Sequence, residues 1–409
     1  MSIAQRLAEW AVALAPSEGD LALAQRSLVD TLAVALAARD ESIVSVTADE
    51  PAASRWAAIG HFLDFDDLHL TSTAHISVVC VPAVLAVGGS ARHYLAAAGV
   101  MARIGELLGW RHYSAGWHTT CTSGALGAAV GAGLGLGLDA AALAQAMALA
   151  VPAAGGVQRA FGSMSKPLQV GFASGAGVRA AYLVAGGATA DPAAVDHWVH
   201  LVADSPGGLT LGDEVIPGGL AIKLYPCCYA LQRPITAGRE LRRLAGSRID
   251  PSAVRQITVR APESTLQPLI HHRPSTGLQA KFSLEYAIAA TLIDDDPGFA
   301  SFSDAAVARP AAQQLLATVR VDSSPRGDGL LAGSTELVLE FCDATSITAD
   351  VGTPPGAPGC PLSEVELKEK VRRCAPNEEA QILACGWQDA PQLLAAHFPA
   401  RQLVGSTDR

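Results

Sequence analysis

A chain of 409 residues exceeds what one hydrophobic core usually supports, so two domains are expected, one of them large. Half of its residues are apolar but only 5% are aromatic, and a mass of Ala, Leu and Val suits closely packed helices better than a β-sandwich. The formal charge of −10 includes no basic block, which argues against nucleic acid or a membrane surface as partner and leaves a small molecule as the default ligand.

In chain order, SIAQRLAEWAVALA and DLALAQRSLVDTLAVALAARD read as helices. The first contains Arg6 and Glu9 and lacks a signal-peptide core, which predicts a cytoplasmic protein. SVVCVPAVLAVGGSARHYLAAAGVMARIGELLG reads as one helical stretch. From Tyr113 to Gln158 the ionisable side chains besides Tyr113 are His118 and Asp139. That segment is rich in Gly, Ala, Ser and Thr and has no basic flank, so buried core helices are expected rather than a transmembrane hairpin. Its glycines fit no GxGxxG register and follow no strand, which argues against a phosphate loop. SGAGVRAAYLVAGG continues the helical half.

At KLYPCCYALQRPITAGRELRRLAG the character changes, and SAVRQITVRAP, TVRVDSS and STELVLEFCDATSITADV alternate like strands around helical KFSLEYAIAATLID. A Pro/Gly joint, GTPPGAPGCP, precedes a helix with Ser363 as N-cap and Glu366 three residues on. The expected fold is mainly α. A helical domain spans 1–225, an α+β lid domain 226–361, and C-terminal helices 362–409 return to the helical domain, making it discontinuous.

Three groups of residues carry potential chemistry. DFDDLHLTSTAH sets Asp64, Asp66, Asp67, His69 and His75 against an apolar run, with His61 just before it. A carboxylate there can orient an imidazole and raise its basicity for proton abstraction, whereas a solvated loop is the plainer reading. Lysine is rare: 24 arginines accompany only Lys166, Lys223, Lys281, Lys368 and Lys370. Lys368 and Lys370 lie on an ordinary charged helix. The other three sit beside apolar residues without acidic neighbours in sequence, where an anion must compensate each ammonium, either a substrate carboxylate or an internal ion pair. His118 precedes TTCTSG, whose hydroxyls and backbone donors at a helix start suit an anion or plain capping. The eight cysteines form no CxxC pair, and adjacent Cys227 and Cys228 are poorly spaced for chelation or a disulfide, so reduced thiols and no metal are expected.

LDFDD with a His shortly after it, GWHTTCTSGALGAAVGAGLGLGLD, KPLQVGFASGAGVRAA, KLYPCCYALQRPI and AKFSLEYAIAATLIDD, in that order, resemble the MmgE/PrpD family. That family includes 2-methylcitrate dehydratase, cis-aconitate decarboxylase and iminodisuccinate epimerase. The resemblance implies a homodimer with its pocket between the helical domain and the lid, working without metal or organic cofactor on a small carboxylic acid. The implied catalytic residues are Asp64, His75, His118, Lys166, Lys223 and Tyr286, and Lys281, Gln169, Gln232, Thr120 and Cys228 are expected to contact substrate. The family often has His where this chain has Gln169 and Gln232, and the segment before LDFDD is short by a few dozen residues. Either departure redirects specificity or ends catalysis. Two functions stand. One is an enzyme acting at the carbon next to a carboxylate, with His75 or His118 as base and Lys166 and Lys223 stabilising enolate charge; dehydration ranks first, ahead of decarboxylation and epimerisation. The other is a lapsed relative that binds a carboxylate or serves as a scaffold.

Overall fold

A computed structural model describes residues 1–400 apart from 204–206, 247–248 and 326. The end of the C-terminal segment, 401–409, lies outside the described residues. The opening helices, Ile3–Ala13 and Glu18–Ala37, each start in a capping box, at Ser2 and Ser17. The stretch read as one helix over 77–109 is two, Ser77–Leu85 and Ala91–Ser114. The chain turns between them through Gly88 at φ 68°, a conformation that is cheap only for glycine. Ala52–His61, not assigned from the sequence, is a helix buried along almost its whole length, so it shows no polar face to mark its period.

The apolar 113–158 segment forms helices Thr119–Gly135 and Ala140–Ala150 inside the core. Thr119–Gly135 packs chiefly on Ser165–Ala185 and on Ala91–Ser114. A Cβ on Gly177 would stand 2.5 Å from the Ala125 carbonyl oxygen, and one on Gly127 would stand 2.7 Å from Met101 Cβ. Gly127, in the run whose glycines invite a nucleotide-loop reading, and Gly177 are points where helices pack too closely for a side chain. No described helix is long and apolar enough to cross a membrane.

One hydrophobic core joins these helices to Val371, Cys374, Ile382, Trp387, Leu393 and Phe398. Helix Glu364–Cys374, capped by Ser363 and Glu366, packs on Glu18–Ala37. A second core gathers residues between Tyr225 and Ala349. Its four strands, β1 (Val254–Pro262), β2 (Val319–Ser324), β3 (Thr335–Phe341) and β4 (Ser346–Val351), lie in the order β2-β1-β3-β4. β1 runs parallel to β2 and antiparallel to β3, with Val259 opposite both Val321 and Leu337. Ile257, Val259, Leu337 and Leu339 bury one sheet face against helices that include Gln232–Ala245 and Pro310–Thr318. The fold is mainly helical with one small sheet.

Candidate active site

Residues 62–76 form a buried loop without helix or strand of its own. Such a loop needs partners for its backbone, and a bridge supplies two: Leu68 N–H donates to Ala221 O at 2.9 Å, and Ala221 N–H to Leu68 O at 2.8 Å. The exchange brings Lys223 up to Asp64. Lys223 Nζ donates to Asp64 Oδ1 at 2.9 Å, and Lys166, at the start of Ser165–Ala185, donates to the same oxygen at 3.1 Å. The anion that compensates both lysines is therefore the chain's own Asp64, the internal-pair reading of their apolar surroundings. Burial alone would raise the Asp64 carboxyl, but Lys166 and Lys223 outweigh it and hold the group far below the usual carboxylate range. The Lys223 ammonium, opposed by its own burial, is pushed up by Asp64 and Asp66.

The histidines fall into place around these ions. Lys166 Nζ also donates to His61 Nε2 at 2.6 Å, so His61 carries its proton on Nδ1, 2.9 Å from Asp66 Oδ2. His75 Nδ1 lies 2.9 Å from that same oxygen without forming a hydrogen bond to it, and His75 Nε2 lies 3.7 Å from Asp64 Oδ1. His118 has the opposite tautomer. Gln169 is fixed by Val157, whose N–H donates to Oε1 at 3.1 Å and whose carbonyl accepts from Nε2 at 3.3 Å. The Gln169 amide nitrogen is thereby a donor where it meets His118 Nδ1 at 2.6 Å, and the imidazole proton sits on Nε2. That Nε2 is buried and has no partner among the described residues, and the same holds for Asp64 Oδ2 and Tyr229 Oη. Burial, then the nearby Lys166 ammonium, holds His118 neutral with its pKa well below the usual value. Burial also lowers His75, to about 3, against the pull of Asp66.

Asp64, His75, His118, Lys166 and Cys228 meet around one void, closed by Leu68, Thr73, Tyr113, Phe161, Tyr229, Phe282 and Leu330. Its volume is about 20 Å³, room for about one water. A small acid enters only if lining side chains shift. Its ionic groups lie beside aromatic ones, with Lys166 Nζ 5.1 Å from the Phe161 ring and 5.3 Å from the Phe282 ring.

The remaining sequence candidates lie elsewhere. Tyr286 is a correction: its hydroxyl donates to Ser301 O at 2.5 Å beside Phe302, and it lines no part of the void. Tyr113 and Tyr229 supply the phenols there, and only their position in the fold, not a local pattern, reveals it. Gln232 is a second correction, because it braces the backbone of Leu224 and Tyr225 rather than the void. Thr120 acts one step back, its Oγ1 accepting from His75 N–H at 3.0 Å. Lys281 donates to the carbonyls of Leu63 and Pro226. Asp67 faces Ser77, and His69 faces Ser72 and Pro217, both away from the void. Lys370, expected on an exposed face, is buried and paired with Asp30 at 2.6 Å. His61, singled out only as a neighbour, proves to link Lys166 to Asp66.

The description of the MmgE/PrpD N-terminal domain matches residues 44–198, and that of the MmgE/PrpD C-terminal domain matches residues 225–383. This chain belongs to the MmgE/PrpD family. Among its curated relatives is a cis-aconitate decarboxylase of Aspergillus terreus strain NIH 2624 / FGSC A1156, 27% identical over 358 residues that cover 76% of this chain and 71% of the relative. A second cis-aconitate decarboxylase from Aspergillus terreus is 27% identical over 361 residues, with the same coverage.

Within this MmgE/PrpD chain, His61, Asp64, Asp66 and His75 bring potential metal ligands within 4.8 Å of one another. The donor set does not fit a resident cation, because two ammoniums already occupy Asp64 Oδ1 and Lys166 occupies His61 Nε2. The same burial predicts acid lability. His61, His69, His75, His112 and His118 all have lowered pKa values, chiefly from burial. The unfolded chain takes up their protons from about pH 6.5 downwards while the folded chain does not, so stability is lost as pH falls through that range. Asp67, raised by burial to about 7, and Asp30 and Glu106, also raised, work the other way but are outnumbered by these five histidines and His93. The urea midpoint should fall steadily between pH 7 and pH 5; a flat or rising midpoint would contradict the neutral assignment of the imidazoles.

Proposed function

We propose that this chain is a cofactor-independent lyase acting on a small polycarboxylic acid at the carbon next to a carboxylate, and that loss of CO2 is the reaction its site supports best. The observation that carries this reading is the unpartnered His118 Nε2–H beside an aromatic wall. Loss of CO2 leaves the bonding electron pair on carbon, spread into a neighbouring carboxyl or double bond as enolate-like charge, and it needs one proton donor to finish. The neutral His118 Nε2–H supplies that proton, and the imidazolate so formed is reprotonated by water, whose hydroxide combines with the departing CO2 as bicarbonate. A carboxylate set against Phe161 and Phe282 loses its charge as CO2 departs, so a poorly solvating wall favours the step. With the imidazoles neutral, Lys166 and Lys223 share the single Asp64 carboxylate, and two ammoniums on one carboxylate suit an anionic acid. Lys166 spends two of its three N–H groups on His61 and Asp64, which leaves one for the developing charge.

Dehydration, ranked first from the sequence, begins instead with proton abstraction and needs a base. His75 is a neutral imidazole, yet a group whose protonation is pushed down to about 3 by burial is a weak base near neutral pH. Decarboxylation therefore moves ahead, as it does on the names of the two relatives. The purified protein should be incubated with cis-aconitate, citrate, 2-methylcitrate and related acids in deuterated water and followed by NMR. Stoichiometric CO2 and one deuteron on the product carbon are expected with at least one unsaturated acid. Water loss without CO2 would put dehydration first, and inertness across the set would favour a ligand-binding or scaffold role.

A further inference from the structure

Three of the five lysines in this chain converge on one stretch of backbone. Asp64 has a left-handed conformation, φ 52°, which a non-glycine residue keeps only where its surroundings over-determine it. The surroundings are three buried ammoniums on three consecutive carbonyls. Lys281 Nζ donates to Leu63 O at 2.9 Å, Lys223 Nζ to Asp64 O at 2.7 Å, and Lys370 Nζ to Phe65 O at 2.9 Å. They arrive from separate parts of the chain: Lys281 follows the Gly277–Ala280 helix of the second core, Lys223 lies just ahead of that core, and Lys370 lies on the Glu364–Cys374 helix. Lys370 is anchored by Asp30 and lies 4.0 Å over the Phe65 ring, while Lys281 is anchored by Pro226 O and lies 5.2 Å from the Phe302 ring. Neither lines the void around His118, and neither is held by the Asp64 carboxylate.

We propose that Lys281 and Lys370 are positioning residues that, with Lys223, fix the 63–65 carbonyls so that the Asp64 carboxylate meets Lys166 and Lys223. An ordinary buried loop closes its carbonyls with neutral backbone donors; charged donors are stronger and aim more narrowly. Their arrangement also ties the geometry of Asp64 to the seating of the second core and the C-terminal helices, since each contributes one ammonium. Loss of either leaves a carbonyl unsatisfied beside a strained residue, and the carboxylate rotates or shifts away from its lysines. A displacement on the scale of 1 Å at such a site costs on the order of a hundredfold in rate.

The activity arm of the test rests on the lyase reading, and a second arm does not. Lys281→Met and Lys370→Met are compared with Lys368→Met, an exposed lysine on the same helix as Lys370. Each is measured for kcat and KM on an acid that the wild type turns over, for its urea midpoint, and for the ¹⁵N imidazole resonances of His61 and His75, which touch Asp66 and Asp64. Lys281→Met and Lys370→Met should lower kcat at least tenfold with KM changed less than threefold, and should shift both imidazoles, while Lys368→Met matches wild type. A fall in midpoint with unmoved resonances and unchanged kcat per folded molecule would mean a purely structural role and overturn the proposal. Should no acid be turned over even by wild type, the lyase reading fails by itself, and unmoved resonances would still sink the positioning role. If Lys370→Met does not fold, Asp30→Asn/Lys370→Met, which strands no charge, and Lys281→Met carry the same comparison.

Discussion

Replacing Asp64 by asparagine is expected to destabilise the fold by about 3–5 kcal/mol, the cost of stranding a buried charge, and to abolish turnover. The change is nearly isosteric, so no cavity term contributes. What it removes is the negative charge shared by Lys166 and Lys223, which are 3% and 0% exposed. Two ammoniums then remain about one carboxamide, and Asp66, already engaged by His61 and His75, is the nearest relief. Removing one of them should restore part of the loss. Asp64→Asn/Lys223→Met is therefore expected to be more stable than Asp64→Asn alone, a coupling that a double-mutant cycle in urea reads directly. A single-variant loss below about 1 kcal/mol, the range of a surface pair, would show that these ions are solvated. The prediction would then fail together with the depressed titration of Asp64.

The extent to which this site was legible in the sequence follows from what each residue contacts. Lysine rarity pointed to Lys166, Lys223 and Lys281 because a buried ammonium is costly wherever it stands, and all three proved buried against oxygen atoms. Lys370 was passed over because Glu364–Cys374 carries Glu and Arg on its other faces, and one inward position leaves no mark on so polar a helix. Glutamines were harder. Gln169 and Gln232 occupy similar contexts in sequence, yet one meets His118 while the other braces a turn, and nothing local distinguishes them. Tyr286 shows the limit of carrying a role by motif: its helix, Leu284–Asp294, lies where expected, but the phenol faces Ser301. The strands were readable because one sheet face is buried and the alternation in Thr335–Phe341 is strict. Ala52–His61 was not, being buried along nearly all its length.

His118→Asn should lower kcat by about 10²–10⁴, the usual worth of a positioned acid or base, with little change in stability. Its side chain makes few bonds that folding depends on: Nε2 has no partner, and Nδ1 meets only Gln169 and the Cys121 thiol. Asparagine can still accept from Gln169 but is too short to place a donor where Nε2 stands. KM should move less than kcat, because Lys166 and the aromatic wall, not His118, hold the ground-state carboxylate in this reading. Gln169 supplies the sharper discrimination. In Gln169→Glu a carboxylate would face Nδ1, and the imidazole proton would move to that nitrogen, leaving Nε2 as a lone pair toward the void. A donor would become an acceptor without a change in shape. If His118 works as an acid, Gln169→Glu should lose decarboxylation nearly as completely as His118→Asn, while Gln169→Leu, which leaves the tautomer free to exchange, loses less. Should Gln169→Glu instead match or exceed wild type, His118 would be acting as a base, and the order of decarboxylation over dehydration would reverse.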